Sequence, residues 1–146
     1  MKVRPAILII ENDSVLLMQY RYGHTDVYNL PGGNPDPNET LSETLIRELE
    51  EELLIKIEVE KLVLMGEVLS STQGRADVLH CVFAGKIVSG IPTLNPDQTS
   101  AIALVWKPIA ALDTLAMYPQ VGVELKNIIF QNTDNQYIGT IKQVWY

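Results

Sequence analysis

Residues 47–55 read RELEEELLI, and three of these glutamates, Glu48, Glu51 and Glu52, are spaced so that they could work together. On a helix advancing about 100° per residue they fall within one sector roughly 100° wide, while Glu50 falls on the opposite side. Carboxylates at a helix C-terminus meet the partial negative charge of unsatisfied carbonyls, at a few tenths to about 1 kcal/mol each. They also repel one another. A hard divalent cation removes both penalties. Oxygen donors without His or Cys select Mg²⁺ or Mn²⁺ over Zn²⁺, and Mg²⁺ usually shares its shell with waters and substrate phosphates. The chemistry implied is cleavage of a phosphate ester or anhydride. Taken alone, RELEEE also describes an ordinary solvated helix face.

The elements around it must hold these side chains in place. Thr40 with Glu43 three residues on is a capping-box pattern, and Leu41, Leu45, Ile46, Leu49 and Leu53 recur at helical spacing. A helix with one buried side and an acidic edge follows. Before it, residues 31–39 hold three prolines and two glycines and read as loop. Val3–Ile10 and Ser14–Tyr20 read as a hairpin about Glu11-Asn12-Asp13, and Val27–Leu30 as a short strand. Lys61–Ser71 and Asp77–Val88 read as two longer strands, followed by a loop over Ser89–Gln98 and a strand over Ala101–Trp106. Pro108 suits the first position of a short helix, Pro108–Leu115. A second amphipathic helix over Pro119–Phe130 and a last strand over Gln136–Trp145 complete the chain. This mixed order predicts an α+β fold with helices packed on a mixed sheet.

The chain has 146 residues, 47% of them hydrophobic and 20% charged, which fits one domain over 1–146 with a substantial core. A net charge of −7 argues against a nucleic-acid polymer as partner, but not against a small anionic substrate beside a cation. The lone Cys81 lies in an apolar run and reads as a buried, inert thiol. The N-terminal apolar run is broken by Glu11 and Asp13, so neither a membrane span nor a signal peptide is expected, and the expected location is cytoplasmic. A homodimer stays open.

The spacing around the acidic run is the sharpest signal. Gly33, five residues, Glu39, seven residues and then Arg47-Glu48-Leu49-x-Glu51-Glu52 resembles the box of the Nudix hydrolases, G-x5-E-x7-R-E-U-x-E-E-x-G-U with U aliphatic. Gly33, Glu39, Arg47, Glu48, Glu51 and Glu52 match, as do Leu49 and Ile55; six such matches arise by chance about once in 10⁵ chains. Leu54 stands where the box calls for glycine, and Asn38 where many relatives have one. An abrupt helix exit into Ile55-Lys56-Ile57-Glu58-Val59 would force Leu54 into a left-handed conformation.

What this resemblance implies is a Nudix-type α/β/α sandwich, its mixed sheet flanked by helices, with the box over 33–55. It implies divalent-metal-dependent hydrolysis of a nucleoside diphosphate linked to another moiety, of the nucleoside triphosphate or nucleotide-sugar type. Glu48, Glu51 and Glu52 match the metal ligands, for Mg²⁺ or Mn²⁺. Arg47 matches the arginine that orients them, and Glu39 an accessory ligand or water-activating group, against a plainer role at a helix start. Gly32 and Gly33 would let a tight loop approach the metal. For substrate binding, Arg21 could pair a phosphate, and Tyr20, Tyr22 and Tyr28 could stack on a base. Asp97 is a candidate base in a loop that reads as solvated; His24 and His80 are lone histidines, His80 reading as a satisfied core or cleft residue. Some ADP-ribose-type relatives carry a proline soon after the box, whereas this chain has none between Pro37 and Pro92. The alternative is a Nudix-fold module that binds or senses nucleotides without catalysis.

Overall fold

The computed structural model describes residues 1–133 and 136–146. Its strands are β1 (Lys2–Glu11), β2 (Ser14–Tyr22), β3 (Thr25–Asn29), β4 (Lys56–Val68), β5 (Val78–Ser89), β6 (Ala103–Pro108), β7 (Met117–Tyr118) and β8 (Gln136–Thr140). Helices α1 (Leu41–Leu53) and α2 (Gly122–Gln131) and a 3₁₀ turn at Ile109–Thr114 complete it. The strand order is β7-β3-β2-β1-β5-β4-β8, with β6 pairing β2.

The hairpin of β1 and β2 is the hinge of this sheet. The two strands pair only at Ile10↔Val15 and Glu11↔Ser14 and then part. β1 runs on parallel to β5, while β2 runs on antiparallel to β3 and β6. The 31–33 loop closes against β1 where the strands have parted: Ile7 N–H donates to Pro31 O at 2.8 Å, and Gly33 N–H to Pro5 O at 3.3 Å. Beyond it the sheet opens into a cleft.

Strand alternation divides the core into two layers. Ile7 and Ile9 of β1 and Leu16 and Met18 of β2 pack with Leu45, Leu49 and Leu53 of α1. Their neighbours Ala6, Leu8, Val15 and Leu17 pack on the other face with Leu112, Leu125 and Ile128. The predicted α/β/α sandwich is therefore observed. Ile46 is exposed rather than buried with its helical neighbours.

Several bounds differ from expectation. β4 begins at Lys56, five residues before the expected start, because Ile55 and Ile57 supply buried side chains immediately after α1. The alternation of Ile55-Lys56-Ile57-Glu58-Val59 belongs to this strand start, and the pairing with β5 then shifts register between Val59 and Leu64. Pro108 ends β6 instead of opening an α-helix. The second helix starts at Gly122, where a Cβ would overlap the Leu112 carbonyl, and the short β7 precedes it. Residues 141–146 do not continue β8, because Gln143 turns to the β7 region, donating to Met117 O and accepting from Gln120 N–H. Among the described residues, no helix is long and apolar enough to cross a membrane.

Candidate active site

Helix α1 is fixed at both ends. At its start, Thr40 Oγ1 accepts from Glu43 N–H at 3.1 Å and Glu43 Oε2 accepts from Thr40 N–H at 3.3 Å, completing the predicted capping box. At its end, Leu54 has φ 56° and ψ 33°, the left-handed exit expected from the missing glycine. The 89–100 loop supplies partners for the last carbonyls. Thr93 N–H donates to Leu53 O and Asn95 N–H to Glu52 O, both at 2.9 Å, and Asn95 Nδ2 donates to Glu51 O at 3.0 Å. The backbone bearing Glu51 and Glu52 is thus tied to a loop some forty residues on (|i−j| 44).

Arg47 sits at the centre of the acidic group. Its Nε and Nη2 grip Glu39 in a two-pronged pair at 2.7 and 2.9 Å. Nη1 reaches Glu48 Oε1 at 3.0 Å and Glu51 Oε2 at 3.3 Å, while Nη2 also donates to Asn34 O. Asp36 stands 3.2 Å from Nε. Glu39 further accepts from the buried Thr44 hydroxyl at 2.7 Å and from Asp36 N–H at 3.0 Å. The Arg47 hydrogen bonds, followed by those from Asp36 and Thr44, hold the Glu39 carboxyl down at about 2. The Glu39 oxygens are thus occupied by Arg47, by the Thr44 hydroxyl and by Asp36 N–H.

Glu52 lies in a different environment. Burial, reinforced by Glu48 and opposed by Arg4, pushes its carboxyl up to about 7, with Glu51 adding a further push. Glu48 stands against Gly33, where a Cβ would overlap its carboxyl carbon, and a Cβ on Gly32 would overlap Pro5 O. Close approach to the β1 backbone therefore requires glycine at position 32, whereas a side chain at Gly33 would displace the Glu48 carboxylate. Among the described residues, no three carboxylate, imidazole or thiol side chains are gathered tightly enough to enclose an ion as they stand. Glu48 and Glu51 are instead turned to Arg47. The donor chemistry nonetheless fits a hard cation: an all-carboxylate set in which Glu52 is half-buried, its proton affinity raised by burial and by Glu48, with Gly33 packed directly against the Glu48 carboxyl.

Arg21 does not join this group. It pairs with Asp26 at 2.7 Å across the β2–β3 hairpin, and strand alternation puts it on the opposite face from Tyr20 and Tyr22. Tyr28 is on the same face as Arg21, packed against the core layer of Val15 and Leu17 and beneath Lys107. Asp97 and His24 are exposed. His80 is fully buried, as expected, yet neither ring nitrogen has a hydrogen-bond partner, so it is not satisfied. Sequence reasoning missed Arg4, whose guanidinium carbon lies 5.7 Å from the Tyr118 ring centroid and whose charge acts on Glu52. An arginine among the apolar residues of β1, in the same alternation as Ala6 and Leu8, was the available signal.

A model of the NUDIX domain matches residues 1–126. The chain belongs to the Nudix family. A MutT Nudix hydrolase from Burkholderia pseudomallei is 26% identical, over 85% of this chain and 96% of that one, with a TM-score of 0.70. An ADP-ribose pyrophosphatase from Streptococcus suis is 17% identical over 95% and 97%, with a TM-score of 0.68. A UDP-X diphosphatase is 23% identical over 93% and 66%, with a TM-score of 0.72. Comparison with curated proteins found no match. The Nudix box of this chain, residues 33–55, runs from Gly33 through α1 and the left-handed Leu54.

Proposed function

We propose that this chain, as one catalytic domain, hydrolyses a nucleoside diphosphate linked to a second group, using Mg²⁺ or Mn²⁺ held by Glu48, Glu51 and Glu52. The observation that carries the reading is Glu52, a half-buried carboxylate whose proton affinity is raised by burial and by Glu48 at the edge of the cleft. A protein that bears this cost without a cation has no evident gain from it.

When bound, the cation neutralises phosphate oxygens and lowers the pKa of a water. Arg47, gripped by Glu39, limits where Glu48 and Glu51 can swing. Gly33 keeps the space beside Glu48 free of side chain. Arg4 offers the cleft a cation for a phosphate that the acidic groups would otherwise repel. Hydrolysis adds water to one phosphorus, and the P–O bond to the bridging oxygen breaks with its electron pair leaving on the second phosphate.

The test is hydrolysis of a panel of nucleoside triphosphates, nucleotide sugars and ADP-ribose with Mg²⁺, with Mn²⁺ and with chelator, for the native chain and Glu52→Gln. Metal-dependent turnover that falls at least about a hundredfold in Glu52→Gln is expected, because a neutral amide is a poor ligand for a hard cation. Native turnover in that variant would remove Glu52 from the site. Binding of nucleotides without any hydrolysis would favour the sensing module.

A further inference from the structure

Strand β2 carries Leu16, Met18 and Tyr20 on one face, in the alternation that packs Leu16 and Met18 with α1. Tyr20 stands one step beyond them, half-buried at the margin of that layer. Its ring lies nearly parallel to that of Tyr22, with centroids 6.5 Å and planes 9° apart. Its hydroxyl meets Thr99 Oγ1 at 3.2 Å. Burial pushes this hydroxyl up, the Thr99 bond opposes it, and the Glu52 carboxylate adds to the push. The phenol therefore keeps its proton and lies within the field of Glu52.

Thr99 closes a short turn that begins at Asn95. Gln98 N–H and Thr99 N–H both donate to Asn95 O, at 3.0 and 3.1 Å, and Asp97 N–H donates to Asn95 Oδ1 at 3.3 Å. Thr99 Oγ1 also accepts from Ala101 N–H at 3.2 Å. Asn95 uses its remaining donors, N–H and Nδ2, on the carbonyls of Glu52 and Glu51. A continuous series of hydrogen bonds thus runs from Tyr20 through Thr99 and Asn95 to the last turn of α1. Among the described residues, Tyr20 to Thr99 is the only side-chain hydrogen bond joining residues 89–100 to the sheet. Leu94 packs on the same core layer as α1, so the loop has an apolar anchor as well.

We propose that Tyr20 is a positioning residue: its hydroxyl fixes the 95–99 turn, and the turn fixes the α1 terminus that carries Glu51 and Glu52. The inference rests on the metal-dependent reading above, but extends it to a residue outside the box. The last carbonyls of a helix have no partner within it, and a terminal turn without one frays. Here the exit is already strained at Leu54, so the partners supplied by the loop decide whether that turn keeps its shape. Glu51 and Glu52 can face one ion only while it does. Removing an outer partner that orients metal ligands typically weakens affinity or activity by about 10–100-fold.

Tyr20→Phe keeps the ring and its packing and removes only the hydroxyl. Thr99→Val removes the partner at nearly constant shape, and Thr99→Ser keeps it. Amide hydrogen exchange of the metal-free proteins is read by NMR at Thr93 and Asn95, with Thr44 at the start of α1 as reference. Exchange about tenfold faster at Thr93 and Asn95 in Tyr20→Phe and Thr99→Val is expected, with Thr44 unchanged. Mn²⁺ alone, titrated by water-proton relaxation, should bind both variants about tenfold more weakly. In nucleotide hydrolysis kcat should fall about tenfold with KM unchanged, and Thr99→Ser should restore most of each property. Unchanged exchange at Thr93 and Asn95 would overturn the tether and assign the loop's position to the packing of Leu94. Faster exchange with native Mn²⁺ affinity would overturn the positioning role, since the turn would then only cap the helix. A raised KM with kcat unchanged would place the hydroxyl against the substrate and overturn it too. If the native chain binds no Mn²⁺, the proposed cation site falls, and the exchange rates alone decide whether Tyr20 holds the α1 terminus.

Discussion

Leu54 and Glu39 show how single residues adjust the site. Leu54 adopts the left-handed conformation that glycine takes at no steric cost, and its side chain is half-exposed, so little packing offsets the strain. The left-handed penalty of about 1–2 kcal/mol exceeds the extra chain entropy glycine brings. Leu54→Gly should therefore stabilise the fold by about 0.5–1 kcal/mol in urea unfolding. A loss of stability would mean that the leucine side chain contributes more packing than its exposure suggests. Glu39 makes the complementary point. It matches a box glutamate, yet its oxygens are taken by Arg47, Thr44 and Asp36, which fits a residue that holds Arg47 in place.

Two elements outside the box carry predictions of their own. The 89–100 loop satisfies the last carbonyls of α1 through Thr93 and Asn95. Asn95→Ala removes the side-chain bond to Glu51 O and should lower stability by about 1 kcal/mol. It should also lower kcat more than it changes KM, because the backbone bearing Glu51 and Glu52 loses a tether; unchanged kinetics would show that the loop only caps the helix. Strand β5 carries His80, whose imidazole is pushed down to about 4 by burial and, secondarily, by Arg4. The unfolded chain takes up a proton there as pH falls below about 6.5, whereas the folded chain holds it off until about 4. The contribution is thus full above about 6.5 and is lost as pH falls toward 4, amounting to roughly 3 kcal/mol. His80→Leu should flatten this part of the pH–stability profile. Parallel profiles for the two proteins between pH 7 and 4 would contradict it.

At the scale of the whole molecule, the parting of β1 and β2 separates two half-sheets, and Arg4 on β1 stands over Tyr118 while its charge acts on Glu52. Cation binding at Glu48, Glu51 and Glu52 would be linked to global stability, since it favours the folded chain. Mg²⁺ at a hundred times its dissociation constant should add about 2.7 kcal/mol to unfolding, seen as a higher melting temperature than with chelator. Glu52→Gln should lose that increment and melt higher than the native chain when no cation is present, because the amide relieves repulsion. A melting temperature indifferent to Mg²⁺ in the native chain would count against the cation site.

The sequence alone determined what is written in short-range periodicity and fixed spacing. The capping box, the buried stripe of Leu45, Leu49 and Leu53, the left-handed turn at Leu54 and the box from Gly33 to Ile55 are all set by residues within a few turns of one another. So was the hairpin of β1 and β2, whose turn and alternating apolar residues are contiguous. Tertiary structure alone decided which distant segments meet. It brought Asn95 to the end of α1, and Arg4 and Trp145 beside Tyr118. It also turned Glu48 and Glu51 toward Arg47, where a helical wheel shows only that they share a side. The reason is physical: a local pattern fixes the face a side chain takes on its own element, whereas the partner on that face is chosen by how the sheet parts and closes over it.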